Sequence, residues 1–139
     1  MKMRTLGIAL LSIWAAGVAA QGERSVKEGV YSEEQAKRGE AVYAETCANC
    51  HGERLEGIDM SPALVGSTFG SNWNTLTLGD LFDRIRTTMP MDRPGTITPQ
   101  QNADVIAYML KANQYPAGSS ELPNVVTPLK TIRIEPAAQ

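Results

Sequence analysis

Cys47-Ala48-Asn49-Cys50-His51 holds both cysteines of the chain and its only histidine. A protein of 139 residues that gathers all its thiols and its sole imidazole in one place invites three chemistries: structural zinc, a dithiol switch, or covalently attached haem. Zinc in a structural site takes about four protein ligands in a closed tetrahedron. The chain offers two thiolates and one imidazole with no second pair elsewhere, and adjacent Cys50 and His51 would strain the chelate. A redox dithiol calls for a strand before the motif and a helix starting at it. Here the motif ends a predicted helix, and no alternating pattern precedes it. Haem fits for a physical reason: two thiols three apart on one helical turn can add to the two vinyl groups of one porphyrin edge. The next residue then offers its imidazole to the iron from the same side.

The surrounding chain supports that choice. Lys2 and Arg4 precede an apolar run from Leu6 to Ala20, and Val18-Ala19-Ala20 offers small residues before a cut ahead of Gln21. This is the pattern of a secretory signal peptide, residues 1–20, and the run is shorter than the ~20 residues a spanning helix needs. Export to the periplasm as a soluble chain is expected, with no membrane span once the signal is removed. Without Lys2 and Arg4, 11 of the 13 basic residues face 15 acidic ones, a net charge of −4. That balance gives no attraction for nucleic acid. About 119 residues then suit one small domain, a size at which a large cofactor usefully supplements the core.

Residues 21–31 are polar and aperiodic and read as an extended leader. Ser32-Glu33-Glu34-Gln35 is a capping box, predicting a helix over 33–46 in which Gln35 reaches back to the cap. Gly39 and Tyr43 share one face of it, a pairing suited to a close crossing by another helix. Glycines and Pro62 recur between Gly52 and Leu76 without a steady period, the signature of a long ordered loop that needs something to wrap around. Thr77 and Asp80 cap a helix over 78–88 with the apolar stripe Leu78, Leu81, Phe82 and Ile85. Pro90 disfavours helical geometry at Met89 and ends it. A second capping box, Thr98-Pro99-Gln100-Gln101, opens a helix that buries Ala103, Ile106, Ala107 and Leu110 and ends at Asn113 in a left-handed conformation. Residues 114–139 carry four prolines and no helical pattern and read as an extended tail.

"RGEAVYAETCANCHG", "PALVGSTF", a following tryptophan, "RIRTTMPM" and "DVIAYML" together resemble the small monohaem class I cytochromes c, over residues 32–113. The resemblance implies an all-α class I cytochrome c fold, three to four helices wrapped around one covalently bound haem c. It also implies electron transfer rather than enzymatic catalysis. "MP" after a short helix and "PAG" after the last one look most like the periplasmic cytochromes that accept electrons from quinoprotein dehydrogenases. An oxidase or another cytochrome would be the acceptor, and the free protein would be a monomer. The lysine-rich front of mitochondrial-type cytochromes is missing.

Coordination decides between an electron carrier and the alternative, a haem enzyme or gas-binding sensor with an open iron site. His51 is the only histidine, so bis-histidine ligation within the chain is excluded. Met60 lies close after His51 on the proximal side, and Met109 sits on a helix flank as core filler. Met89 and Met91 follow a helix end far enough along the chain to reach the opposite haem face. By resemblance the methionine before proline, Met89, is the axial ligand, with Met91 the rival. By the same resemblance the Pro62 carbonyl takes the Nδ1 proton of His51, and the Trp73 indole meets a haem propionate. Arg84, Arg86 and Arg93 crowd the methionine segment while Glu53, Glu56 and Asp59 follow the histidine, an asymmetry that can orient a partner.

Overall fold

A computed structural model describes residues 22–137. The expected signal peptide, residues 1–20, lies outside the described residues. In chain order the elements are β1 (Arg24–Ser25), a 3-10 turn (Val26–Glu28), α1 (Glu33–Thr46), α2 (Ala48–His51), α3 (Gly66–Trp73), α4 (Leu78–Thr88), α5 (Pro99–Ala112), α6 (Val126–Leu129) and β2 (Ile132–Arg133). Helices dominate, as expected of the all-α class. Among the described residues the one sheet is the two-residue-per-strand parallel pair of β1 and β2.

The helix starts follow local chemistry. Ser32 Oγ accepts the backbone N–H of Gln35, and Thr77 and Thr98 form complete capping boxes with Asp80 and Gln101. Gln35 does not reach back to its cap. It is fully buried and instead pairs both ways with the tail, accepting from Leu122 N at 2.7 Å and donating to Leu122 O at 3.1 Å. Those two bonds satisfy a backbone segment that would otherwise be buried without partners.

The core forms where α1 crosses α5. Gly39 sits against the backbone of α5, and a Cβ there would run into the Asp104 carbonyl. A missing side chain lets the two backbones approach closely. One turn on, the rings of Tyr43 and Tyr108 lie 5.4 Å apart between centroids and tilted by 51°, an arrangement aromatic pairs favour. Beside the crossing, the nearly buried Asp104 carboxylate receives both Arg38 Nε and Nη2 at 3.0 Å, together with Gln100 Nε2 at 2.8 Å. Arg38 extends the link to Glu121 in the tail at 2.8 Å. The stripe of α4, Leu78, Leu81, Phe82 and Ile85, is buried as predicted, as are Ala103, Ile106, Ala107 and Leu110 of α5.

Besides that of Gln35, four expectations need correcting. The segment after Gly52 is not loop throughout: α3 forms within it, on the single buried residue Phe69 and with no side-chain cap, so neither period nor capping announced it. Asn113 is not left-handed, having φ −88°, and the positive φ falls on Gln114 at 64°. The leader is not simply extended, since the 3-10 turn buries Val26, and Val30 and Tyr31 are buried after it. The tail is not simply extended either. It contributes α6 and β2 and buries Tyr115, Leu122, Leu129, Ile132 and Ile134 in the same core. Gly118 packs against the backbone of Gly29 and donates its N–H to Tyr31 O, which seats the tail on the leader.

Gly39→Ala should therefore cost about 3 kcal/mol, since the added methyl meets backbone rather than a side chain that can rotate away. Gly22→Ala, with nothing within 4 Å, is the control and should be neutral. Denaturant unfolding of the haem-loaded proteins checks both, and equal stabilities would contradict the crossing described here.

Candidate functional site

The CANCH stretch is the joint between α1 and α2. Cys47 ends α1 with its N–H on Tyr43 O at 2.8 Å, and its own carbonyl accepts Cys50 N at 3.1 Å and His51 N at 3.0 Å. One helical turn thus carries Cys47, Cys50 and His51 on neighbouring positions. Cys50 is exposed and Cys47 half-buried, and the two form no disulfide. Burial pushes the Cys47 thiol above the usual range, with only partial relief from the Thr46 hydroxyl. A redox-active thiol needs the opposite shift. Among the described residues no three His, Cys, Asp or Glu side chains are grouped to hold a metal ion, which argues against the zinc alternative on donor geometry.

His51 is oriented by its ring nitrogen. Its Nδ1 lies 2.9 Å from Pro62 O, and because a carbonyl can only accept, Nδ1 carries the proton and donates. Nε2 is then the free lone pair. The chain reverses between these residues under strain. Gly52 (φ 83°) and Gly57 (φ 80°) take conformations open to glycine, while Leu55 (φ 62°) and Asp59 (φ 50°) take positive φ as ordinary residues. Burial of Leu55 against the core offsets its backbone cost. Beyond Pro62 the segment is clamped to the end of α5: Asn113 Oδ1 accepts Gly66 N at 2.9 Å and its Nδ2 donates to Leu64 O at 2.9 Å. In the sequence Asn113 reads only as a helix terminator, and the clamp is invisible there because its partners lie 47 and 49 residues away.

Among the described residues, four methionines sort by exposure. Met60 is 97% exposed and Met91 79%, whereas Met109 is 2% exposed inside α5. Met89 ends α4 in extended geometry (φ −120°, ψ 149°), half-buried against the core. Trp73 ends α3, also half-buried, and like Cys47, Leu64 and Val65 it is partly covered against the core. Apolar side chains left half-covered around the core suit a large apolar prosthetic group, and two thiols with an imidazole whose Nε2 is free suit covalently attached haem. Of the three arginines near Met89, Arg86 pairs with Asp83 at 2.9 Å and Arg93 with Asp92 at 3.2 Å. Arg84 makes no ion pair among the described residues. On the methionine side two of the three arginine charges are therefore balanced by neighbouring carboxylates.

The model of the family described as cytochrome c oxidase, cbb3-type, subunit III matches residues 34–109, more than half of the chain. The chain belongs to that cytochrome family. It therefore carries covalently bound haem of the c type, with Cys47, Cys50 and His51 at the CxxCH spacing. No curated protein matches this cytochrome. Among solved structures, the crystal structure of the sulfane dehydrogenase SoxCD from Paracoccus pantotrophus is similar, at 24% identity and a TM-score of 0.51. The match covers 78% of this chain and 59% of that one. At this identity the likeness supports the fold, and the cytochrome spans less than two thirds of its structural neighbour.

Haem attachment through two thioether bonds makes a simple expectation. Cys47→Ala and Cys50→Ala should each leave at most one bond, and the double variant should yield polypeptide of bare mass in denaturing mass spectrometry. Haem retained by the double variant under denaturing conditions would contradict attachment at these thiols.

Proposed function

We propose that this cytochrome is a periplasmic one-electron carrier in which Cys47 and Cys50 hold the haem, His51 Nε2 and the Met89 sulfur are the axial ligands, and no substrate is turned over. The bound haem supplies a one-electron ferric/ferrous couple. The observation that carries the ligand assignment is the sorting of the methionines: Met89 alone is held half-buried at a helix end, neither free in solvent nor packed away inside a helix.

Each residue then has a physical task. The Pro62 carbonyl fixes the tautomer and plane of His51 and raises the basicity of the ring. Met89 offers a soft neutral thioether, which favours the reduced iron relative to a second imidazole and so suits a carrier of fairly high potential. Trp73 needs an acceptor for its indole N–H, and a propionate is the partner we assign to it. An enzyme of the peroxidase kind would use a distal acid or base. The only histidine in this chain is already engaged with Pro62.

Export to the periplasm rests on the expected signal peptide. Among the described residues no helix is long and apolar enough to cross a membrane. For partners, we assign a dehydrogenase as donor, of the quinoprotein kind by resemblance, and an oxidase or second cytochrome as acceptor. The family description naming an oxidase and the neighbour's title naming a dehydrogenase both agree with a place in such a chain.

Met89→Ala should open the iron, abolish the sulfur-to-iron charge-transfer band of the oxidised protein, lower the potential and admit carbon monoxide to the reduced form. Met91→Ala should leave all four nearly unchanged. Optical spectra with a redox titration decide, and the reverse pattern would move the ligand two residues along.

A further inference from the structure

The hydroxyl of Tyr43 donates to Gly52 O at 2.6 Å, a buried bond that reaches from the last turn of α1 to the peptide immediately after His51. Tyr43 is 1% exposed, and burial raises its phenol well above the usual range, so it stays protonated and able to donate. The ring needs no hydroxyl for its packing against Tyr108, and a phenylalanine would fill the same place. The polar tip must therefore be explained by what it touches.

Its target is the first hinge of the loop that ends at Pro62. Gly52 has φ 83° and ψ 152°, a region of backbone space essentially confined to glycine. Its carbonyl accepts Leu55 N at 3.2 Å as well as the phenol. From there Gly57 N returns to His51 O at 2.7 Å, and Leu64 N bonds Leu55 O at 2.8 Å. These bonds determine where the chain stands when it presents Pro62 O to His51 Nδ1. Asn113 clamps the far end of the same segment, and Tyr43 holds the near end.

We infer that Tyr43 is a positioning residue for His51, its hydroxyl tuning the strength of the Nδ1–H bond to Pro62 by fixing the peptide from which the intervening loop departs. The inference rests on His51 being an iron ligand as proposed above. Removing the hydroxyl leaves one lone pair of a buried carbonyl unmatched and lets the hinge relax. A longer Nδ1–H bond makes the imidazole less basic, which stabilises ferric iron less and raises the potential.

Tyr43→Phe should thus increase the ratio of reduced to oxidised protein at fixed applied potential by about threefold, or ~28 mV at ~59 mV per tenfold for one electron. The His51 Nδ1 proton, followed by NMR, should exchange with water faster than in the parent. Tyr108→Phe removes a neighbouring phenol that makes no hydrogen bond to Gly52 and should move neither quantity. Should Tyr43→Phe load haem poorly, the parent protein decides: a Tyr43 hydroxyl proton in slow exchange supports the role, and one in fast exchange overturns it. A Tyr43→Phe potential equal to the parent's, with unchanged Nδ1 exchange, would also overturn it, as would an equal effect of Tyr108→Phe. Failure of the underlying reading looks different, because the parent itself would then lack the spectrum of a histidine-ligated low-spin haem.

Discussion

The contact on which the molecule depends is that of Gly39 with the backbone of α5 at Asp104. Because no side chain separates the helices there, Tyr43 reaches Tyr108, and Arg38 reaches both Asp104 and the tail. The end of α1 carries the haem-attachment turn, and the end of α5 carries Asn113. Fixing the angle between the two helices therefore fixes His51 relative to the segment that supplies its hydrogen-bond acceptor. The site is an outcome of helix packing more than of the loop itself.

That arrangement explains why the loop can hold strained residues. Two ordinary residues with positive φ and two glycines in an eight-residue reversal (residues 52–59) would not persist in isolation. They persist because Leu55 is buried and because the phenol of Tyr43 and the amide of Asn113 grip the segment at either end. Side chains whose own positions are locked by packing make a site that keeps its geometry, a general requirement for metal ligands. Met89, the second ligand we propose, is held differently, by the end of a helix that proline prevents from continuing.

How much of this was legible in sequence follows from the range of each interaction. Ser32, Thr77 and Thr98 announce α1, α4 and α5 because capping is a matter of three or four neighbours, and the stripes of α4 and α5 repeat at helical spacing. CANCH announces the cofactor because attachment chemistry demands that spacing. Pro62 near His51 was accessible only through likeness to a family, since nothing local to either residue speaks of the other. The double bond of Gln35 to Leu122 spans 87 residues, and a capping box offers the nearer and misleading partner. Helix α3 was illegible because Gly66-Ser67-Thr68-Phe69 lacks both cap and period, its formation following from the burial of Phe69 and the clamp on Gly66. Tail residues such as Leu129 and Ile134 read as isolated apolar positions between prolines, and only the assembled core shows what they cover.

The parallel pairing of β1 with β2 has a consequence for the order of assembly. Ser25 Oγ meets the Glu135 carboxylate across 110 residues of chain, a closure that looks entropically severe. Chain-closure entropy grows only logarithmically with length, at about 0.6 kcal/mol for each doubling. Moreover, once Gly39 lies against Asp104, the leader hangs a few residues from α1 and the tail a modest length from α5. The effective loop left to close is then short, and the loss of chain freedom is incurred chiefly at the helix crossing. Two residues of strand, a glycine contact and a handful of apolar side chains can hold both ends of this molecule together because the helices have already brought them near.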